Sequence, residues 1–257
     1  MPCAIELRGV QVAYDGNVVV PDANLSIEQG KVTMLIGPNG CGKSTTLKAI
    51  ARVEPLHKGE VLLHGESVAR MSQRELARKL AVLPQSPTVP EGINVRDLVA
   101  YGRFPYRKPL GGLTKEDHDV VDWSMGRTGV AELADRRVDE LSGGQRQRVW
   151  IALTLAQKAD VMLFDEPTTY LDISHQVEVL ELLRRLNREE GATVVVVIHE
   201  LNLAAKYADH IVGMRAGRVM FEGAPCDVFN EDNLRALYDI EPEILRDPQR
   251  GYPVCVD

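Results

Sequence analysis

The sequence feature that most constrains the fold is a glycine-rich run at residues 37–45, GPNGCGKST. Its glycines let bare backbone N–H groups approach phosphate oxygens, Lys43 adds a positive charge, and the Ser44 hydroxyl suits Mg²⁺. The apolar segment 31–36 before the run is typical of a buried strand, and the segment 44–52 after it is typical of a helix. Because a helix N-terminus also attracts anions, strand, loop and helix together predict a phosphate-binding site in an α/β fold. The expected nucleotide-binding residues are Gly37, Pro38, Asn39, Gly40, Cys41, Gly42, Lys43, Ser44 and Thr45.

Composition fits a protein of this kind and argues against several others. Of the 257 residues, 44% are hydrophobic, which is enough for a sizeable core. No apolar run is long enough for a membrane span and no signal segment stands at the N-terminus, so we expect a cytosolic protein. The net charge of -7 argues against nucleic acid as the main partner, because a phosphate backbone requires a basic surface. The cysteines are widely spaced, which predicts reduced thiols and no zinc site: Cys3, Cys41, Cys226 and Cys255.

The pattern of apolar residues divides the chain into three parts. Residues 1–85 and 157–224 alternate between short strands and helices and are predicted to form an α/β core. Residues 86–156 contain several prolines and segments of helical period, which indicate a helical insertion. Residues 225–257 are predicted to form a helical tail. The buried strands of the core favour a mostly parallel sheet with helices on both faces, within a single domain of residues 1–257.

Two apolar strands of the core end in residues suited to catalysis. Asp165 and Glu166 follow segment 161–164, and His199 follows segment 193–198. At this edge of a parallel sheet Asp165 is expected to hold Mg²⁺ through water, and Glu166 to polarise a water for attack on a γ-phosphate. His199 is expected to contact the γ-phosphate or to steady that water. A solvated acidic pair and a structural histidine are the alternatives, and the phosphate-binding loop favours the catalytic interpretation.

Further landmarks follow the phosphate-binding loop in a fixed order. They are Gln85, the run LSGGQ at residues 141–145, Asp165 with Glu166, Leu171 with Asp172, and His199. In this order they resemble the ATP-binding subunits of ABC transporters over nearly the whole chain. The resemblance implies the ABC ATPase form of the P-loop NTPase fold, with a mostly parallel central sheet, an N-terminal antiparallel β subdomain and an inserted helical subdomain. It also implies ATP and Mg²⁺ as cofactors.

In the family that the chain resembles, two subunits form a head-to-tail dimer with two ATP molecules between them. Each ATP is held by one subunit's phosphate-binding loop and by the other subunit's LSGGQ signature, here Ser142, Gly143, Gly144 and Gln145. A hydroxyl donor, bare backbone and a helix N-terminus suit a γ-phosphate. Asp172 resembles the aspartate that reaches across this dimer.

The remaining site residues follow from the same resemblance. Tyr14 resembles the aromatic residue that stacks on adenine, and a packed tyrosine at the end of a strand is the alternative. Gln85 resembles the glutamine that contacts Mg²⁺ and the attacking water and connects them to the helical insertion. The catalytic residues that the resemblance implies are Glu166, His199, Gln85 and Lys43, and the Mg²⁺ ligands are Ser44, Gln85 and Asp165.

Residues 101–107 and 167–176 resemble importers of iron-siderophore, haem and cobalamin, with the siderophore subgroup the most similar. This implies an ATP-hydrolysing motor at the cytoplasmic face of the membrane, partnered by permease subunits and indirectly by an exported substrate-binding protein. The cargo is not identified, because it contacts the permease and its binding protein rather than this chain. A non-transport ABC ATPase that acts on a soluble complex, and a regulatory nucleotide-binding module with little turnover, are the alternatives.

Two expectations concern individual side chains. Arg103, Arg107 and Lys108 are predicted to form a docking element for the permease, with solvated surface charges as the alternative. Cys41 lies beside Lys43 at a helix N-terminus, which predicts a lowered pKa and a reactive thiol that ATP protects from alkylation. A buried, inert thiol is the alternative.

Overall fold

The structure is a computed structural model that describes residues 2–108 and 111–256. These residues form two compact units: the first combines the chain up to Met71 with the chain from Arg184 onward, and the second is Ser72–Leu183. The β-strands are β1 Cys3–Tyr14, β2 Asn17–Glu28, β3 Val32–Ile36, β4 Lys58–Leu63, β5 Glu66–Ser67, β6 Leu80–Leu83, β7 Val161–Asp165, β8 Thr193–Val197, β9 His210–Arg215, β10 Arg218–Gly223, β11 Glu243–Arg246 and β12 Pro253–Val256. The α-helices are α1 Lys43–Ile50, α2 Gln73–Lys79, α3 Val95–Ala100, α4 Lys115–Thr128, α5 Gly143–Ala156, α6 Ile173–Glu190, α7 Leu201–Tyr207, α8 Pro225–Val228 and α9 Glu231–Tyr238.

The N-terminal part of the first unit is an antiparallel sheet in the order β2-β1-β4-β5. Buried and exposed residues tend to alternate along β1 and β2, as they do when one face of a sheet packs on the core and the other meets solvent. The hairpin between these strands turns at Asp15 and Gly16, which both have positive φ (47° and 84°), as a type I′ turn requires. The predicted antiparallel N-terminal sheet is therefore confirmed.

A second sheet of the first unit contains β3, β8 and β9 as parallel strands, with β10 antiparallel to β9. Every residue of β3 (VTMLI) and of β8 (TVVVV) is buried. Continuous apolar strands of this kind are typical of parallel sheets that are covered on both faces. The carboxyl end of β3 leads into residues 37–45, and that of β8 leads to His199, so this sheet positions both segments.

In the second unit β6 and β7 pair in parallel, from Leu80 opposite Val161 to Leu83 opposite Phe164. Between these strands the chain forms α3, α4 and α5, so the regular structure of the segment predicted as an insertion is helical. The second unit also contains α2 and residues 173–183 of α6 and is therefore larger than segment 86–156. Within the described ranges, no helix is long and apolar enough to cross a membrane.

The prediction of a helical tail for residues 225–257 is correct for α8 and α9 and wrong beyond them, where β11 and β12 pair as an antiparallel hairpin. The side chain of Asn202 in α7 donates to Cys255 O (3.0 Å) and accepts from Cys255 N (2.7 Å). Asp247 Oδ1 accepts from the backbone N–H of Arg250 and stabilises the turn between the two strands. Contacts of this kind, rather than the local pattern of apolar residues, decide the conformation of short strands.

Candidate functional site

The phosphate-binding loop connects β3 to α1 in a conformation that its glycines make possible. Gly37, Gly40 and Gly42 have φ of 148°, 74° and 102°, in the region that favours glycine. A Cβ built on Gly37 would lie 2.0 Å from the carbonyl oxygen of Met214, so glycine alone fits there. The N-cap of α1 is Gly42, in the left-handed conformation, rather than a residue with a capping side chain. A helix N-terminus that follows such a loop is suited to an anion.

Lys43 is the first residue of α1, and its side chain extends back into this loop. The residue is only 5% exposed, and its Nζ donates to Gly37 O (2.7 Å) and Pro38 O (3.1 Å). A buried ammonium group needs acceptors, and the carbonyls of the loop supply them. The positive charge therefore lies within the phosphate-binding loop, where phosphate oxygens could replace these carbonyls as acceptors.

The turn between β9 and β10 supports the loop through a contact that the sequence pattern does not predict. Gly217 N donates to Cys41 O (2.8 Å), and a Cβ on Gly217 would lie 2.1 Å from Val19 O. The buried hydroxyl of Tyr238 faces the same loop: burial raises the pKa of Tyr238, and the N–H of Gly37 acts in the opposite direction. In the sequence Gly217 indicates only a turn between two strands, and it does not indicate which residues the turn contacts.

The prediction of a lowered pKa for Cys41 is wrong. The residue is 5% exposed, and its Sγ would be 2.9 Å from a Cβ on Gly37, so the thiol points into the protein. Burial raises the pKa of Cys41, although Lys43, whose Nζ is 3.9 Å from the sulfur, acts in the opposite direction. Removal of the thiolate from water raises the pKa more than the nearby positive charge lowers it.

In the second unit β6 and β7 bring two predicted catalytic residues together. β7 ends at Asp165, which is 4% exposed, and Glu166 follows with a φ of 51°, an uncommon conformation for glutamate. Glu166 Oε2 accepts hydrogen bonds from Gln85 Nε2 (2.5 Å) and Thr169 Oγ1 (3.0 Å). The carboxylate is thus held in one orientation at the carboxyl end of this strand pair. An uncommon backbone conformation that persists at such a place is typical of functional sites.

The signature forms the start of α5. Ser142 is the N-cap: its Oγ accepts from Gln145 N (3.3 Å), and Gln145 Oε1 accepts from Ser142 N (3.1 Å). This reciprocal pair is a capping box, which explains why a helix starts at Gly143 although two glycines lie in its first turn. Ser142 and Gly143 are exposed, whereas Gly144 is buried. The second unit therefore presents a serine hydroxyl and a helix N-terminus at its surface.

Asp172 lies at the surface immediately before α6, with 65% of its side chain exposed. Its Oδ1 accepts from the backbone N–H of His175 (2.9 Å) and from Ser174 Oγ (2.8 Å), as an N-cap carboxylate does. The backbone N–H of His175, the hydroxyl of Ser174 and the ring of His175 lower the pKa of Asp172 to about 2. The carboxylate is therefore ionised at neutral pH.

Tyr14 and His199 lie at strand ends in the first unit. Tyr14 is the last residue of β1, and His199 follows β8 and precedes α7, whose N-cap is Glu200. Both side chains are half-buried. Their contacts with a nucleotide stay predictions, as do those of the other residues predicted to bind ATP or Mg²⁺.

The prediction that Arg103 belongs to an exposed docking element is wrong. Arg103 is 4% exposed, its Nε lies 2.8 Å from Asp117 Oδ1, and its NH1 donates to Ala156 O (2.9 Å). Its guanidinium also stacks 3.9 Å from the centroid of the Tyr106 ring. This side chain joins three helical segments inside the second unit. Lys108, by contrast, is exposed.

A groove of 340 Å³ opens at the surface of the second unit. The rings of Tyr101 and Phe104 stack with centroids 4.7 Å apart, and the two residues are 40% and 46% exposed. The Arg107 guanidinium lies 5.3 Å from the centroid of Phe104. The residues that line the groove are Ile93, Asp97, Ala100, Tyr101, Phe104, Arg107 and Leu113.

Comparison with known proteins agrees with these features. The ABC transporter family matches residues 20–169. The chain is 47% identical over 245 residues to the iron(3+)-hydroxamate import ATP-binding protein FhuC of Bacillus subtilis (strain 168), covering 95% of this chain and 91% of that protein. It is 44% identical over 252 residues to the ferric enterobactin transport ATP-binding protein FepC of Escherichia coli (strain K12), covering 97% and 93%.

A solved structure is similar as well. The ATP-binding cassette MJ0796, in a dimeric post-hydrolysis state bound to ADP and phosphate, matches with a TM-score of 0.74 and 28% identity, covering 86% of this chain and 98% of that chain. The chain therefore belongs to the ABC transporter family, has the ABC ATPase fold that its sequence predicts, and is an ATP-binding ATPase.

Proposed function

We propose that this chain is the ATP-hydrolysing motor subunit of an importer that takes up an iron-siderophore-type substrate through a separate membrane permease. The observation that carries the proposal is its similarity, over 95% and 97% of the chain, to ATP-binding proteins named for iron(3+)-hydroxamate import and for ferric enterobactin transport. Those two names share an iron-chelate cargo and differ in the chelator. The proposal therefore covers the substrate class and not the individual substrate.

The side chains fit ATP and Mg²⁺ on chemical grounds. A Cβ on Gly37 would collide with a backbone carbonyl, so the loop needs bare backbone, which suits phosphate oxygens, and Lys43 supplies positive charge. Ser44, Gln85 and Asp165 carry the oxygen atoms that Mg²⁺ prefers as ligands. When bound, Mg²⁺ would neutralise charge that develops on the transferred phosphoryl group.

In the proposed reaction Glu166 takes a proton from the attacking water. The water oxygen bonds to the γ-phosphorus, the bond to the β–γ bridging oxygen breaks, and ADP and phosphate leave. Gln85 and Thr169 hold Glu166 Oε2, so the carboxylate is oriented before the water arrives. Lys43 is proposed to stabilise charge on the γ-phosphate, and His199 to steady the water.

A second copy of the chain completes the proposed site, in a head-to-tail dimer. Ser142 and the N-terminus of α5 would bind the γ-phosphate of an ATP held by the partner's phosphate-binding loop, and Asp172 would extend toward the partner. The exposure of Ser142 and of Asp172 supports this role, because both are accessible to a second molecule. The dimeric state of the similar cassette MJ0796, bound to ADP and phosphate, supports it as well.

The groove lined by Tyr101 and Phe104 is proposed to receive a helix of the permease. Exposed aromatic residues in a concave surface are typical of protein interfaces. Asp97 and Arg107 line the same groove and can pair with polar groups of a partner. The subunit would then work at the cytoplasmic face of the membrane, and an exported substrate-binding protein would deliver the cargo to the permease.

Reconstitution tests this function. The chain is co-expressed with a candidate siderophore permease from the same organism, the complex is placed in lipid vesicles, and uptake of ferric siderophores is measured. We expect ATP-dependent uptake that Glu166→Gln abolishes and Arg107→Glu reduces, with the phosphate release of the isolated Arg107→Glu subunit unchanged. Lys115→Glu, which reverses an exposed charge on α4, is the matched control. Recovery of soluble proteins without any membrane protein in a pull-down would instead favour a non-transport ABC ATPase.

A further inference from the structure

His175 contacts two segments that are distant in the sequence, the signature and the turn that carries Asp172. Its Nδ1 lies 2.7 Å from Asp172 Oδ1. The opposite edge of the ring covers Gly144: a Cβ built on Gly144 would lie 2.4 Å from His175 Cδ2 and 3.0 Å from Nε2. One side chain therefore joins the N-cap of α6 to the first turn of α5.

Other contacts keep the first turns of α5 and α6 side by side. Leu171 lies close to the start of α5: a Cβ built on Gly143 would be at ordinary van der Waals distance, 3.7 Å, from Leu171 Cδ2. About one turn further along both helices, Arg148 forms an ion pair with Glu178. The ring of His175 lies between these two contacts. The signature and the turn before α6 are thus packed together within the second unit.

We propose that His175 is a positioning residue that holds the Asp172 carboxylate in register with the signature, so that both segments engage the partner subunit as one element. This inference rests on the proposed function, in which both segments face a second copy of the chain. It adds His175 to the residues that assemble the composite site. It also explains why position 144 is glycine, because the His175 ring occupies the space that a side chain there would need.

The chemistry of the pair supports this role. An ionised carboxylate only accepts hydrogen bonds, so the proton between Asp172 and the ring belongs to His175 Nδ1. That hydrogen bond fixes the plane of the ring, and the ring in turn packs on Gly144. Removal of the ring would release Asp172 from one of its partners and would leave a gap beside the signature.

ATP-dependent dimerisation of the full chain tests the proposal. Glu166→Gln, which slows hydrolysis, serves as the parent, and the dimer dissociation constant is measured with Mg-ATP by sedimentation velocity. We expect His175→Ala to weaken the dimer about tenfold, the loss expected for one hydrogen bond to a charged group. The affinity of the monomer for a fluorescent ATP analogue is expected to stay unchanged. His118→Ala, which removes an exposed histidine near the start of α4, is the matched control.

Two further variants separate positioning from general stability. His175→Asn can donate to Asp172 from its Nδ2 but does not fill the space beside Gly144, so it is expected to recover part of the dimer affinity that His175→Ala loses. Gly144→Ala should weaken the dimer strongly when His175 is present and much less in combination with His175→Asn, because the shorter side chain leaves room for the methyl group. Equal losses in the two backgrounds would contradict the contact as a constraint on position 144.

The outcomes also separate this inference from the proposed function. A parent that forms no ATP-dependent dimer would contradict the proposed function and the inference together. A parent that dimerises with the same affinity whether position 175 is histidine or alanine would overturn the inference alone. Parallel losses of dimer affinity and of monomer ATP affinity in His175→Ala would likewise overturn it, since they would indicate a general structural defect.

Discussion

Gln85 and Glu166 are separated by 81 residues in the sequence, yet Gln85 Nε2 donates to Glu166 Oε2 across 2.5 Å. The parallel register of β6 and β7 brings them together, because the strands before them end side by side. A hydrogen bond to an ionised group is stronger than one between neutral groups. Gln85 therefore orients the carboxylate, in addition to its proposed contact with Mg²⁺.

From this contact we expect Gln85→Ala to lower kcat for ATP hydrolysis by about ten- to a hundredfold, since a hydrogen bond to a charged group contributes about 1.5–3 kcal/mol. The KM for ATP should change little, because the phosphate-binding loop is intact. Steady-state phosphate release measures both constants. Gln73→Ala, an exposed glutamine in α2, is the control, and an equal fall in kcat for both variants would contradict the orienting role.

Glu166→Gln is expected to keep ATP binding and to lower hydrolysis by about a hundred- to ten-thousand-fold, as loss of a general base does. The amide preserves the shape of the side chain and removes its ability to take a proton. Single-turnover phosphate release and size-exclusion chromatography with Mg-ATP check the rate and the stabilised dimer. Wild-type phosphate release in this variant would exclude Glu166 as the base.

Ser142→Arg is expected to abolish most hydrolysis while the separate monomer keeps its ATP affinity, because the signature is proposed to act on the partner's nucleotide. Ser142 is also an N-cap, so the substitution should cost about 1 kcal/mol of stability. Ser72→Arg removes an equivalent capping box at α2 and supplies the matched control. If both variants lose hydrolysis alike, the defect lies in helix capping and not in the signature.

Arg103→Ala is expected to destabilise the fold by about 3–5 kcal/mol, because it leaves the buried Asp117 carboxylate without its cation. Urea unfolding followed by circular dichroism measures the change. Arg107→Ala, a short distance along the same segment, should stay within about 0.5 kcal/mol of wild type. Comparable losses in the two variants would mean that the ion pair contributes little.

The same ion pair predicts a dependence on pH. Burial alone would raise the pKa of Asp117, but hydrogen bonds from Thr114 and Arg103 outweigh it and hold the pKa below its usual range. A carboxylate of this kind stabilises the fold above its unfolded pKa of about 3.9, and the contribution is lost as the pH falls through the lower folded value. Asp117→Asn should thus be less stable than wild type near neutral pH, with a difference that shrinks below about pH 4. A difference that does not vary with pH would argue against a lowered pKa for Asp117.

Cys41 is expected to resist alkylation at neutral pH, because burial raises its pKa and covers the sulfur. Iodoacetamide should label the exposed Cys226 first, and labelling of Cys41 should keep accelerating above the ordinary thiol pKa of about 8.5. Peptide mapping by mass spectrometry measures both rates. Rapid labelling of Cys41 at neutral pH would show that the thiol is more accessible than its burial indicates.

The sequence predicts the structure correctly where only a few residue types are compatible with the local backbone conformation. At position 37 only glycine fits, because a Cβ there would lie 2.0 Å from a backbone carbonyl oxygen. At positions 142 and 145, serine and glutamine form a capping box that starts a helix. The buried strands are equally predictable, because five consecutive apolar or β-branched residues, as in β8, fit few structures other than a buried strand.

The sequence does not predict properties of a side chain that depend on partners distant in the chain. Arg103 is buried because Asp117 and the carbonyl of Ala156, 14 and 53 residues away, accept from it. The thiol of Cys41 turns inward, and no local pattern shows that direction. The contact of His175 with Gly144 likewise exists only once α5 and α6 have packed.

The pairing of Asn202 with Cys255 has a practical consequence for protein engineering. The side-chain amide of Asn202 forms the pair of hydrogen bonds that the backbone of a neighbouring strand would form, since it both donates to and accepts from the backbone of β12. Hybrid subunits made by swapping C-terminal regions between relatives should therefore inherit α7 and β12 from one parent. A hybrid whose α7 has no asparagine at the place of Asn202 would leave the peptide groups of Cys255 without these two hydrogen bonds, close to His199.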